Sequence, residues 1–93
     1  MEAQQQEIQV KASDEELKGR FSNIAQISHQ EGQFIMDFFL VAPPAGQLVS
    51  RVVATPGHMK AIAKVINDQL AQYERNFGKV KLTEEDRQIG FKA

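Results

Sequence analysis

The side chains able to do chemistry are few in this sequence, and their spacing does not group them. The chain of 93 residues carries two histidines, His29 and His58, and no cysteine. His29 stands in a Gln/Glu/Gly connection and His58 in the first turn of a predicted helix. Neither has a second histidine or paired carboxylates at metal-ligand spacing, since Glu31 alone is too little. A surface position is the ordinary explanation for both. Ser22, Ser28 and Ser50 fall in strand-like segments without the strand-to-helix elbow that exposes a nucleophile. Gly46, Gly57 and Gly78 are too scattered for a phosphate loop. Thr55, Pro56, Gly57 and His58 put free amides at a helix N-terminus, a weak anion site common to most helices. The expectation is a protein that is not an enzyme and that takes no cofactor and no metal.

Charge and composition narrow the function classes. With 11 basic against 12 acidic residues the formal net charge is -1. Nucleic-acid affinity comes largely from neutralising phosphates, so this balance disfavours a DNA or RNA partner. Lys60 and Lys64 share a helix face with little else basic near them in sequence. The absence of cysteine excludes a disulfide scaffold and fits a reducing compartment. The opening residues MEAQQQEIQV lack the basic region and apolar run of a secretory leader. No apolar stretch approaches the roughly 20 residues of a membrane helix. The longest, residues 34–42, is interrupted by Asp37. The expected setting is cytoplasmic, in a bacterial cell, with no membrane association.

The elements that must position these residues can be read in order. Residues 1–12 end in an alternation of Ile8, Val10 and Ala12, an N-terminal arm or edge strand. Ser13 to Glu16 has the capping-box pattern, which either opens one helical turn ending at Gly19 or is a plain acidic loop. Residues 20–29 alternate as a strand, and His29 to Gly32 is a tight connection. Strands are predicted over residues 33–41 and 47–54, with Ala42 to Gly46 as a proline-enforced loop. Thr55 is an N-cap and Pro56 an N1 residue. Met59, Ile62, Ile66, Leu70, Tyr73 and Phe77, with Ala63 beside them, form one apolar stripe that Gly78 terminates. Residues 81–93 thin out into a tail: Thr83 to Asp86 repeats a capping pattern, and Ile89 and Phe91 are isolated apolar residues. The fold class is α+β: a three- to four-stranded antiparallel meander followed by one long C-terminal helix packed on one sheet face. A single domain spans residues 13–80.

Register follows from the apolar pattern, because directly paired residues point to the same side of a sheet. Phe34, Met36, Phe38 and Leu40 are expected opposite Ala54, Val52, Ser50 and Leu48. Across the first hairpin they are expected opposite Ile27, Ala25, Asn23 and Phe21. Asp37 then lies directly opposite Arg51 on the other face. The helix can cover the first face. The second carries Ile24, Ile35, Phe39, Val41, Val49 and Val53 around that ion pair, a patch larger than monomers usually expose. A second copy packed sheet on sheet across a two-fold axis would bury it. Ile24, Ile35, Asp37, Phe39, Val41, Val49, Arg51 and Val53 are therefore the candidate interface of a homodimer or dimer of dimers.

The segments FSN (21–23), QFIMDF (33–38), SRVVATPGHMK (50–60) and YERNFGKV (73–80), in this order and spacing, carry a resemblance. The chain resembles a family of short bacterial and archaeal proteins described only as a domain of unknown function. The likeness covers about residues 19–80, and Phe21 stands where the family often has tyrosine. It implies strands followed by a long helix, and no activity. By order of elements alone the chain is also similar to the export chaperone SecB, a fold-level analogy. The expected function is a non-enzymatic homo-oligomeric interaction or adaptor protein, its partner itself and possibly another protein. The alternatives are a chaperone-like binder of extended polypeptide and a nucleic-acid-associated protein.

Overall fold

The computed structural model describes residues 6–84 and 86. Their order is α1 (Asp14–Lys18), β1 (Ile24–Gln30), β2 (Gln33–Ala42), β3 (Ala45–Ala54) and α2 (Pro56–Phe77). The strands form one antiparallel sheet in the order β1-β2-β3, so β2 is central. This is the α+β meander and long helix that the alternation and the 3.6-residue stripe predict.

Local chemistry sets each boundary. Ser13 and Glu16 make the capping box: the Ser13 hydroxyl accepts from the Glu16 amide at 3.1 Å, and Glu16 Oε1 accepts from the Ser13 amide at 3.0 Å. The acidic segment is thus a helical turn and not a loop. At α2 the Thr55 hydroxyl accepts from the His58 amide at 3.2 Å, with Pro56 at the start where a missing amide costs nothing. Gly78, at φ +97, ends the helix and donates to the Glu74 carbonyl. Residues 6–12 have no regular structure, and Ile8 and Val10 are exposed. Residues 6–12 thus add no edge strand to the sheet. Their three apolar side chains offer little burial against the entropy of ordering them.

Both hairpins are tighter than the sequence predicts. Gln30 pairs with Gln33, leaving Glu31 and Gly32 (φ +88) as a two-residue turn. Ile27 therefore lies opposite Met36, and Ala25 opposite Phe38, two residues from the expected partners but on the same face. In the second hairpin only Pro43 and Pro44 turn, with a cis peptide bond between them, and Ala45 and Gly46 already belong to β3. Phe34↔Ala54, Met36↔Val52, Asp37↔Arg51 and Phe38↔Ser50 pair as expected. A bulge then intervenes, and Phe39 pairs with Leu48 and Leu40 with Gln47. Val49 is the extra residue. It lines a cleft with Phe38 and Ser50 on the first face, while Leu48 joins Phe39 and Val41 on the second.

The helix covers far less than one face. Met36 and Ala54, each 7% exposed, are the buried apolar residues among those described, and both lie on the first face. Met59 and Ile62 in the opening turns of α2 are half-buried, and α2 meets the sheet chiefly along β2. Beyond them Ile66, Leu70, Tyr73 and Phe77 stand exposed, Phe77 at 73%. A 22-residue helix is about 33 Å long, so most of it projects past the strand it starts from. The radius of gyration is 16.6 Å, against about 12 Å for a compact chain of this length. Replacing Thr55 by alanine should destabilise the fold by about 1 kcal/mol, with Thr55→Ser near neutral. Chemical denaturation of both variants checks this, and equal loss in both would remove the cap from the account.

Candidate functional site

The polar centre of the sheet is the Asp37–Arg51 pair. Direct pairing across β2 and β3 sets the two side chains on the second face. Arg51 Nε donates to Asp37 Oδ1 at 2.6 Å and Nη2 donates to Oδ2 at 2.9 Å. This two-pronged geometry satisfies both carboxylate oxygens. Asp37 is 6% exposed, whereas the Arg51 side chain is 58% exposed. The carboxylate is thus hidden beneath its own counter-ion in a sheet one layer thick.

Hydrogen bonding from Arg51 holds the Asp37 carboxyl below its ordinary range. Burial opposes that effect, and the Coulombic attraction of the guanidinium reinforces it. The same partnership raises the Arg51 guanidinium. Around the pair Ile24, Ile35, Phe39 and Val41 are half-buried, and Val53 is exposed. Seven of the eight candidate interface residues share this face. Val49 does not, because the bulge turns it to the first face and puts Leu48 in its place. At the hairpin end the face opens into an apolar cleft of about 420 Å³ lined by Phe39, Val41, Pro43, Pro44 and Leu48.

A second polar cluster ties the sheet together before β1 begins. The Asn23 side-chain amide donates to the Val41 carbonyl and accepts from the Val41 amide, both at 2.9 Å, mimicking one more rung of the ladder. The Ser22 hydroxyl is shared between the carbonyls of Phe39 (3.0 Å) and Ile24 (3.1 Å). Arg20 Nη1 reaches past β2 to the carbonyl of the bulged Val49 at 2.8 Å. Sequence reading treats Ser22 and Asn23 as ordinary strand residues. Their signal is an adjacent polar Ser-Asn pair just ahead of β1. Arg20 leaves no such signal, since its acceptor exists only because of the bulge. Arg20, Ser22 and Val49, with Glu15, Glu16 and Phe38, border an open cleft of about 500 Å³ between α1 and the sheet.

The histidines go separate ways. His29 stacks obliquely on Phe34, ring centroids 5.5 Å apart, and His58 borders a shallow groove on α2 with Ala61, Ile62, Val65 and Ile66. Among the described residues no three His, Cys, Asp or Glu side chains gather as metal ligands. No described helix is long and apolar enough to cross a membrane. In the tail, Thr83 and Asp86 make the reciprocal capping bonds their spacing predicts. Ile89 and Phe91 lie outside the described residues.

An antiparallel meander leading into one long helix, with an ion pair set in an apolar sheet face, defines a small α+β domain. The chain belongs to the family described as Protein of unknown function (DUF3467), whose profile matches residues 1–82. The match takes in the arm as well as the segments that carry the resemblance in sequence. No curated protein and no solved structure matches the chain.

A depressed carboxylate pKa contributes stability that is complete above the unfolded value and is lost as pH falls through the folded one. Asp37 is such a group, so its contribution should fade from about pH 4 downward. The melting-temperature gap between the native chain and Asp37→Asn should therefore be widest near neutrality and close on acidification. Parallel curves from pH 7 to pH 2 would show that the pair does not couple to folding.

Proposed function

We propose that this protein is a non-enzymatic interaction protein that works as a homo-oligomer in the cytoplasm, with its second sheet face as a joining surface. One observation carries the reading. Among the described residues Met36 and Ala54 are the buried apolar side chains, too small a core for an independent domain of this length. Burying a large aliphatic or aromatic side chain is worth about 1.5–3 kcal/mol. Ile35, Phe39, Val41, Leu48 and Val53 on one face therefore favour a second sheet packed against them. A sheet-on-sheet contact would also seal Arg51 over Asp37. That desolvation offsets much of the Coulombic gain, so the pair would serve orientation more than affinity.

Sedimentation velocity tests the reading. The expected mass is a multiple of the 10.4 kDa chain, with a melting temperature that rises with protein concentration. Val53→Glu should weaken association through the sheet face. A monomer at all concentrations with an unchanged melting temperature would overturn the proposal. The exposed apolar clefts also suit an extended polypeptide. Suppressed aggregation of an unfolded client by a monomeric form would favour that chaperone-like reading instead.

A further inference from the structure

The stripe on α2 is a separate surface from the sheet face, and it has a finer pattern than amphipathicity. Met59, Ala63, Ile66, Leu70, Tyr73 and Phe77 recur at spacings of four, three, four, three and four. That is the 3.5-residue repeat of a two-helix seam, which Ile62 widens only in the opening turns. From Ile66 onward the seam is exposed. Tyr73 and Phe77 are already packed on each other, ring centroids 4.9 Å apart. We propose that α2 pairs antiparallel with α2 of a second copy of this chain. The inference rests on the homo-oligomeric reading only in taking a second copy as partner.

Size and charge both select the antiparallel sense. With the two-fold axis beside Asp68, Ile66 meets the partner's Leu70, and Ala63 meets the partner's Tyr73. Met59 meets the partner's Phe77. Ala63 and Met59 each face a large aromatic ring, and Ile66 faces Leu70 of equal bulk, so the layers fill evenly. A parallel pair would instead oppose Ala63 to its own copy and Phe77 to its own copy, leaving one layer thin and another overfilled. In an antiparallel pair the flanking positions that follow Met59, Ile66 and Tyr73 meet one another. They are Lys60, Asn67 and Glu74. Lys60 then lies against the partner's Glu74, Asn67 against the partner's Asn67, and the ion pair occurs twice by symmetry. Glu74 Oε2 already accepts from the Val80 amide at 2.9 Å, which fixes the carboxylate and leaves Oε1 for Lys60. A parallel pair would set Gln69 against Glu74 and Ile62 against Asn67, with no complementary charges.

The chain of 93 residues has no cysteine, so single thiols introduced into it can report the geometry. With a short bis-maleimide, Asn67→Cys should cross-link to dimer. Lys60→Cys alone should not, since the two copies lie about 24 Å apart along the axis. A mixture of Lys60→Cys and Glu74→Cys should yield the mixed dimer. Lys60→Glu and Glu74→Lys should each raise the dimer Kd about tenfold, and the double swap should bring it back to within about twofold. All of this should persist in the Val53→Glu background, where the sheet face is blocked. Cross-linking of Lys60→Cys to itself would overturn the antiparallel sense. A dimer in which Asn67→Cys fails to cross-link would overturn the seam while leaving the homo-oligomeric reading intact. A monomer throughout would overturn both.

Discussion

A three-stranded sheet has two faces, and an apolar face must be covered by another layer before it stabilises anything. The described residues supply one long helix, α2, joined to the sheet's end through a single capping residue, Thr55. A helix so attached approaches the strands only with its first turns. Met59 and Ile62 in those turns are half-buried, and the stripe from Ile66 onward stands exposed. The apolar side chains are consequently laid out as surfaces and not gathered into a core. Every other feature of the molecule, from the tight hairpins to the ion pair, is arranged within that shortage of cover.

The polar groups do the work of holding a thin sheet in register. Asp37 and Arg51 fix β2 against β3 at their middle. Asn23 fixes β1 against β2 where the backbone ladder ends, and Arg20, in the segment ahead of β1, reaches to β3. A slip of one residue would invert a strand and break these bonds together. Polar bonds of this kind specify the arrangement where hydrophobic packing within one chain is too sparse to do so.

Much of this was legible in the residues. Thr55-Pro56 and the closing Gly78 mark the ends of α2 because caps are local chemistry, whereas the Ser13–Glu16 pattern suits a helical turn or an acidic loop equally. The Asp37–Arg51 pairing is legible because the register that keeps the apolar face of β2 and β3 intact sets the two charges opposite each other. Three things were not. The first hairpin was shifted by two residues, since alternation fixes the face but not the turn length. The exchange of Leu48 for Val49 was hidden because adjacent apolar residues suit either face. Coverage by the helix was overestimated, since a periodic stripe shows that a helix seeks a partner and not where that partner sits.

The bulge at Val49 gives β3 an odd relation to its own alternation. Leu48 and Val53 share a face although an odd number of positions separates them, which a regular strand forbids. The bulge is therefore a phase shifter, and it marks where the chain can change length. A chain lacking Val49 would run as an unbroken ladder, with every other side chain on the face it now occupies and only the acceptor for Arg20 lost. The same deletion between Ser50 and Ala54 would rotate the helix-bearing end of the strand to the wrong side. Within β3, Val49 is the position where a residue can be removed without turning the rest of the strand over.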